Sequence, residues 1–355
     1  MRIAQLCITL LLAAIPLGGS AAPLQSFVKM PEVQAFIRDM HAKHGFDQAR
    51  MQRRFAAVKP IPAVLKAIQP PRDPGIRSWQ AYRQRYVEPK RIALGLGFWQ
   101  AHAGELAQAE ARYGVPREII VAIIGVETIY GRHRGRFNTF AALATLAFGY
   151  PPRAELFRGE LEELLLLARD NDSNPLSYSG SYAGALGLPQ FLPSSIRRYA
   201  VDGDGDGRID LVDSAADAIA SVANFLAVHG WQAGQPISAA AQVDAARLGD
   251  LLAEGIAPKR TPAQLEAWGV VSAGAADLPA ALIDLVTPQQ ATEYRLGYRN
   301  FYALTRYNRS SFYAMAVNDL AEELRRDQQQ RSGNLEPRSG EPPSPPPPGR
   351  GLGGG

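Results

Sequence analysis

The 355-residue chain has a single cysteine, Cys7, and it lies in a stretch that reads as a removable leader. Without that stretch no cysteine remains, which excludes disulfides, thiolate metal sites and a thiol nucleophile. Long apolar runs are also missing. The run from about Leu6 to Leu17 in "MRIAQLCITLLLAAIPLGGSAAP" spans roughly 12 residues, whereas a membrane helix needs about 20. Arg2 precedes this run and Ser20 and Ala22 follow it, the pattern of a secretory signal over residues 1–22; an uncleaved anchor is the alternative. Cys7 stands ahead of most of the apolar core, not behind it, so its position argues against a lipoprotein anchor. A dense basic cluster is absent too. The formal net charge is +4, and the leader accounts for one unit of it through Arg2. That mild excess favours lingering on an anionic polymer but leaves no nucleic-acid footprint. No internal repeat is present.

What is there is globular: 46% hydrophobic and 20% charged residues. Residues 23–114 read as helices. "PEVQAFIRDMHAKHG" puts Val33, Phe36, Ile37 and Met40 on one face, with Gly45 as a stop, and further helices run to Gly114. "VPREIIVAIIGVETIYG" is predicted as a buried helix with Pro116 at its first position and its end at Gly131, because it is apolar nearly all round. Two helices broken at Tyr150–Pro152 follow, then a Gly/Ser/Pro-rich loop, an Asp/Gly-rich loop and a helix from about Ser214 to His229. Residues 234–296 read as a small, partly β subdomain, residues 297–327 as a closing segment with an amphipathic helix, and residues 328–355 as a disordered Pro/Gly-rich tail.

"DGDGDGRIDLVD" matches a twelve-residue calcium loop. Asp202, Asp204 and Asp206 take positions one, three and five, Gly207 the turn, Arg208 a backbone carbonyl at seven and Asp210 position nine. Asp213 stands twelfth, where glutamate is usual, and is one methylene shorter. An ion-free Asp/Gly turn is the alternative. With no second loop present, one ion here would be structural. No organic cofactor is indicated.

Glu127 ends the apolar run, where an unpaired charge is costly. Either it pairs with Arg132 or Arg134, or burial raises its pKa and makes it a proton donor near neutral pH. Residue context sharpens the choice. "IIGVETIYGR", "ALATLAFGYPPRAELFRGELEELL", "GSYAGALGLPQFLPSS", the acidic loop, "SVANFLAVHGW" and "FYALTRYNRSSFYAMAV" occur in that order. Together these blocks resemble the lytic murein transglycosylase B family, from about Ser26 to Leu324.

The resemblance implies a mainly α (α+β) protein: a lysozyme-like catalytic core over about 115–233 with an EF-hand-type calcium loop, an additional helical region and the small partly β subdomain. It implies that Glu127 is the single catalytic acid/base, and that Ser181, Gln190, Phe191, Tyr307, Asn308, Tyr313, Arg153 and Tyr82 bind substrate. Relatives carry two adjacent arginines where this chain has Pro152 and Arg153, so the side chain of the first is not available here. Each residue also has a plain structural reading: Asn308 as a helix cap, Ser181 in a turn, Gln190 satisfying backbone groups, Arg153 in a surface ion pair. Glu155, Glu160 and Asp170 are near enough in the chain to supply a second carboxylate.

The reaction implied is cleavage between N-acetylmuramic acid and N-acetylglucosamine with closure of a 1,6-anhydro ring, by a periplasmic monomer acting on peptidoglycan strands, with cell-wall synthesis proteins as candidate partners. Tyr82, Phe191, Tyr307 and Tyr313 would offer stacking faces to sugar. A calcium-stabilised wall-binding protein without catalysis is the reading from another class.

Overall fold

A computed structural model describes residues 26–70, 77–244 and 248–335. The proposed leader, residues 1–22, lies outside them. The chain opens with helices α1 (Pro31–His44), α2 (Gln48–Ala56) and α3 (Pro62–Ile68). Val33, Phe36, Ile37 and Met40 of α1 are buried as their spacing predicts, and Gly45 ends the helix in the left-handed region at φ 70°. Asp47 caps α2 by accepting from the Arg50 amide at 2.6 Å. These helices are held by rings packed mostly edge-on, with Phe55 among Phe27, Phe36, Phe140 and Phe148 at 5.0–6.2 Å.

Three helices follow, α4 (Trp79–Tyr86), α5 (Pro89–Ala101) and α6 (Ala103–Tyr113), before α7 (Arg117–Thr128). Every residue of α7 from Ile119 to Val126 is buried, because α5, α6 and α11 (Ala215–Val228) and α15 (Ser311–Leu335) pack around it. Two details differ from the sequence reading. Pro116, with ψ 143°, is the N-cap and not the first helical residue, and the helix stops at Thr128, ahead of Gly131. A short ladder then pairs β1 (Phe137–Asn138) with β2 (Ser179–Gly180), bracketing the helix pair α8 (Thr139–Gly149) and α9 (Ala154–Asp170). The break at Tyr150–Pro152 is a single 3-10 turn. Helix α10 (Pro193–Tyr199) precedes the acidic loop and α11.

The segment expected to be partly β forms a four-stranded antiparallel sheet: β3 (Ser238–Val243), β4 (Val270–Val271), β5 (Ala281–Leu285) and β6 (Glu293–Gly297), in the order β4-β3-β6-β5. It carries α12 (Leu248–Ala253) and α13 (Pro262–Glu266). Strand β5 serves two cores. Ala281, Ile283 and Leu285 face the main body, while Leu282 joins Leu251, Leu265, Val270 and Leu296 in a second cluster. The period of two thus fuses the sheet to the helices. Helix α14 (Arg299–Tyr307) leads back to α15, which runs on to Leu335, so the boundary set at residue 328 falls inside a helix; residues 336–355 lie outside the described chain.

Candidate active site

Glu127 occupies the last turn of α7, directly after the buried run, and is partly open to a cavity of about 140 Å³. Ser181, Gln190, Phe191, Tyr307 and Asn308 line the same cavity. Among the described residues, Glu127 is the one carboxylate that lines it. Neither Arg132 nor Arg134 pairs with Glu127. Arg134 reaches the Val212 carbonyl and Asp213, and the partner of Glu127 is the Tyr313 hydroxyl, which donates to Oε1 at 2.7 Å. Burial raises the Glu127 pKa to about 7, and the Tyr313 bond, which favours the charged form, opposes that rise. Tyr313 is itself 2% exposed and its pKa is pushed up, by burial first and then by Glu127, so it stays a donor.

The end of α7 is tied to the opposite wall. Thr128 Oγ1 donates to the Leu188 carbonyl at 2.9 Å. The wall, residues 180–191, is a folded-back loop in which Leu186 bridges Gly180 and Phe191. Ser181 closes one of its turns, its Oγ accepting from the Ala185 amide at 3.0 Å. Gln190, in the left-handed region at φ 51°, donates through Nε2 to the Gly187 carbonyl at 2.9 Å and the Arg134 carbonyl at 3.2 Å. The structural readings of Ser181 and Gln190 therefore hold alongside their place in the cavity. Asn308 is not the cap of α15: Ser310 takes that part, its Oγ accepting from the Tyr313 amide at 3.3 Å. Asn308 lines the cavity.

Other expectations need correction. Phe191 and Tyr307 are 3% and 6% exposed, and the Tyr307 hydroxyl donates to the Pro189 carbonyl at 2.5 Å. With Tyr313 they form a packed floor, not open platforms for stacking. Tyr82 of α4 does not line the cavity, yet its hydroxyl is near enough that Glu127, after burial and Tyr86, helps raise its pKa. Arg153 lies outside the lining, over the Phe157 ring at 5.5 Å. The spare carboxylates are occupied elsewhere. Glu160 is buried and accepts from the Ser194 amide and hydroxyl at 3.0 and 2.7 Å, and Asp170 pairs with Arg197 at 3.1 Å. Glu155 and Glu160 border a neighbouring cavity that shares Ser195 and Phe225 with the first.

The acidic loop gathers Asp202 and Asp204, but its third carboxylate is Asp217, with ligand oxygens all within 4.8 Å of one another. Asp217, in the first turn of α11, is buried and was missed because it stands beyond the twelve-residue frame. Asp213, the expected twelfth ligand, is turned outward to Arg134 at 3.1 Å. Asp202, Asp204, Asp206, Asp210 and Asp217 all accept from nearby backbone amides, Asp217 from those of Gly203 and Asp210 at 2.7 and 2.6 Å. The loop also supports the cleft: the Leu188 amide donates to the Leu211 carbonyl at 2.8 Å, and a Cβ on Gly187 would stand 2.2 Å from that carbonyl oxygen.

Comparison with known proteins agrees with this arrangement. Residues 29–322 match the family model described as Transglycosylase SLT domain. The chain is 42% identical over 309 residues to membrane-bound lytic murein transglycosylase B of Escherichia coli K12, covering 83% of each. The crystal structure of soluble lytic transglycosylase SltB1 from Pseudomonas aeruginosa superimposes with a TM-score of 0.79 at 43% identity, over 84% of this chain and all of that one. The Escherichia coli lytic transglycosylase Slt35, solved in complex with calcium, gives 0.77 at 40% identity, over 86% of this chain and 96% of that one. The fold is thus the mainly helical, lysozyme-like one.

The raised pKa of Glu127 has a stability consequence. The folded chain holds this proton to about pH 7, while the unfolded chain releases it near the ordinary glutamate value of 4.5. Stability therefore falls as pH rises between those values. Glu127→Gln, which cannot ionise, is expected to be more stable than the parent above pH 7, by on the order of 3 kcal/mol. The gain should vanish below about pH 4.5. Denaturant melts of both proteins at pH 4.5 and pH 8 measure it.

Proposed function

The chain belongs to the transglycosylase SLT family, and from that premise we propose that it is a lytic transglycosylase that uses Glu127 alone as acid and then as base on peptidoglycan. The observation that carries the proposal is the lone carboxylate in the cavity, held at a pKa of about 7. A glycosidase of the usual kind needs two carboxylates. Here the second role falls to the substrate.

Protonated Glu127 donates its proton to the oxygen linking N-acetylmuramic acid to N-acetylglucosamine, and the C1–O bond breaks. The electron pair leaves with the departing sugar, and the neighbouring N-acetyl oxygen shares the positive charge at C1. Glu127, now a carboxylate, takes the proton from the muramyl O6 hydroxyl as O6 bonds to C1. The 1,6-anhydro ring closes and Glu127 is protonated again. Because the nucleophile is already part of the substrate, proximity does much of the work. Tyr313 aims the carboxyl, while Asn308, Ser181 and Gln190 present polar atoms to the ring substituents. Phe191, Phe225 and Tyr307 form an apolar part of the wall, which would limit water around the reacting atoms. Tyr82 and Arg153 would act farther along the strand, outside the bond-cleaving pocket.

Asp202, Asp204 and Asp217 fit a structural calcium ion. Calcium takes hard oxygen ligands at about 2.3–2.6 Å, so oxygens sharing one ion lie within about 5 Å of one another, as these do. Asp206, Asp210 and the Arg208 carbonyl, as spaced in the loop, would complete the ligand set, whereas Asp213 is turned to Arg134. The ion would steady Leu211, and through it the cleft loop. The catalytic region spans at least residues 29–322, the extent of the family match. Read as a leader, residues 1–22 would send it to the periplasm, where we take it to act as a monomer with cell-wall synthesis proteins as candidate partners. No described helix is long and apolar enough to cross a membrane.

Two experiments test these readings. Digestion of purified sacculi should release muropeptides lighter by one water than hydrolysis products, and Glu127→Gln should release none while still binding sacculi. Products with reducing muramic acid would establish a hydrolase instead, and undiminished release by the variant would place the chemistry elsewhere. For the ion, chelation should lower the melting temperature by several degrees. Asp217→Asn should abolish the calcium-dependent part of that shift.

A further inference from the structure

Helix α7 ends one residue after Glu127, in a turn that backbone sterics disfavour. Ile129 and Tyr130 both lie in the left-handed region, at φ 50° and 57°, before Gly131 at 84°. For a β-branched residue such as Ile129 this is a true outlier. The turn folds Tyr130 back between α5 and α7. A Cβ on Gly95 of α5 or on Gly125 of α7 would stand 2.4 Å from the Tyr130 hydroxyl, so glycine at both positions makes room for the ring. That hydroxyl is buried with no hydrogen-bond partner.

Arg91 of α5 shares this interior and is 5% exposed. Its Nη1 donates to the Gly125 carbonyl at 2.5 Å and its Nη2 to the Arg85 carbonyl at 3.3 Å, with the guanidinium 5.3 Å from the centre of the Tyr86 ring. Glu88 approaches Nη2 only to 4.0 Å, and Nε has no partner. A buried guanidinium and a buried unpartnered phenol are costly fillings, and apolar side chains would fill the same space more cheaply. Both converge on Gly125, two residues before Glu127.

We propose that Arg91 and Tyr130 are positioning residues for Glu127. Arg91 holds the last turn of α7 through the Gly125 carbonyl, and Tyr130 plugs the gap between α5 and α7. Together they fix the angle at which the carboxyl enters the cleft and meets Tyr313. Neither touches substrate. The inference rests on Glu127 as the acid, and a misplacement of about 1 Å at such a group can cost about 100-fold in rate.

The test uses the full chain on purified sacculi, with kcat and KM measured separately across pH. Arg91→Met should lower kcat about 10- to 100-fold with KM nearly unchanged. It should also move the midpoint of the descending, high-pH limb downward, as the carboxyl loosens toward water. Arg91→Lys keeps one donor for the Gly125 carbonyl and should recover most of kcat. A folded Arg91→Met with parental kcat and midpoint overturns the proposal, as does a loss that lysine does not rescue. If Arg91→Met does not fold, Tyr130→Leu is read by the same criteria, since it empties the plug. Glu127→Gln, run alongside, separates the two failures. An active Glu127→Gln overturns the acid assignment, whereas an inactive one beside a fully active Arg91→Met overturns only the positioning role.

Discussion

The hydrogen bond from Tyr313 to Glu127, made where a buried helix runs out into a cavity, is the contact around which the rest of the molecule is arranged. Burial alone would make the carboxyl a weak acid that keeps its proton, and the phenol moderates that effect. The two residues are brought together from distant parts of the chain, α7 and α15, and α7 is surrounded by four other helices. An acid that must give up a proton and then recover one works best with a pKa near the ambient pH. Here desolvation and one charge-favouring hydrogen bond balance close to that point.

The surrounding elements keep that balance fixed. Thr128 and Leu188 join α7 to the cleft loop, and Leu188 and Leu211 join the cleft loop to the acidic loop. From the other side, β6 and the residues just after β5 pin α4. The Trp79 amide donates to the Val286 carbonyl at 2.8 Å, the Gln80 amide to Thr287 at 3.1 Å and the Trp79 indole to Glu293 at 3.1 Å. Arg83 of α4 then pairs at 2.5 Å with Asp319 of α15, the helix that carries Tyr313. The small subdomain, fused to the main core through β5, therefore reaches the site by way of α4. Rigid support of this kind is what a functional side chain on an unfavourable footing requires.

Much of this was legible in the residues. The helical spacing of Val33, Phe36, Ile37 and Met40, the stops at Gly45 and Gly114, and the awkward charge of Glu127 all follow from local chemistry. The ordered blocks brought Ser181, Gln190, Phe191, Tyr307 and Asn308 into one cavity. What was not legible depends on contacts far apart in the chain. Spacing could not show that Asp213 would turn to Arg134, or that Asp217 would stand beside Asp202 and Asp204, because both depend on where α11 begins. Nor could spacing show that Phe191 and Tyr307 would be sealed into a floor, or that Arg153 would settle on Phe157. The early stop of α7 was hidden too, since an isoleucine and a tyrosine in left-handed conformations contradict local propensity and are held there by Gly95 and Gly125.

The central claim is that the protein holds Glu127 protonated near neutral pH by burying it. The most direct measurement is a titration of the carboxyl itself in the free protein, with 13C-labelled glutamate and the Glu127 signal assigned by difference against Glu127→Gln. A midpoint near pH 7, rising further in Tyr313→Phe because the charged form loses its donor, is the result this account requires. A midpoint in the ordinary carboxylate range of about 4–5, unaffected by loss of the phenol, would contradict it.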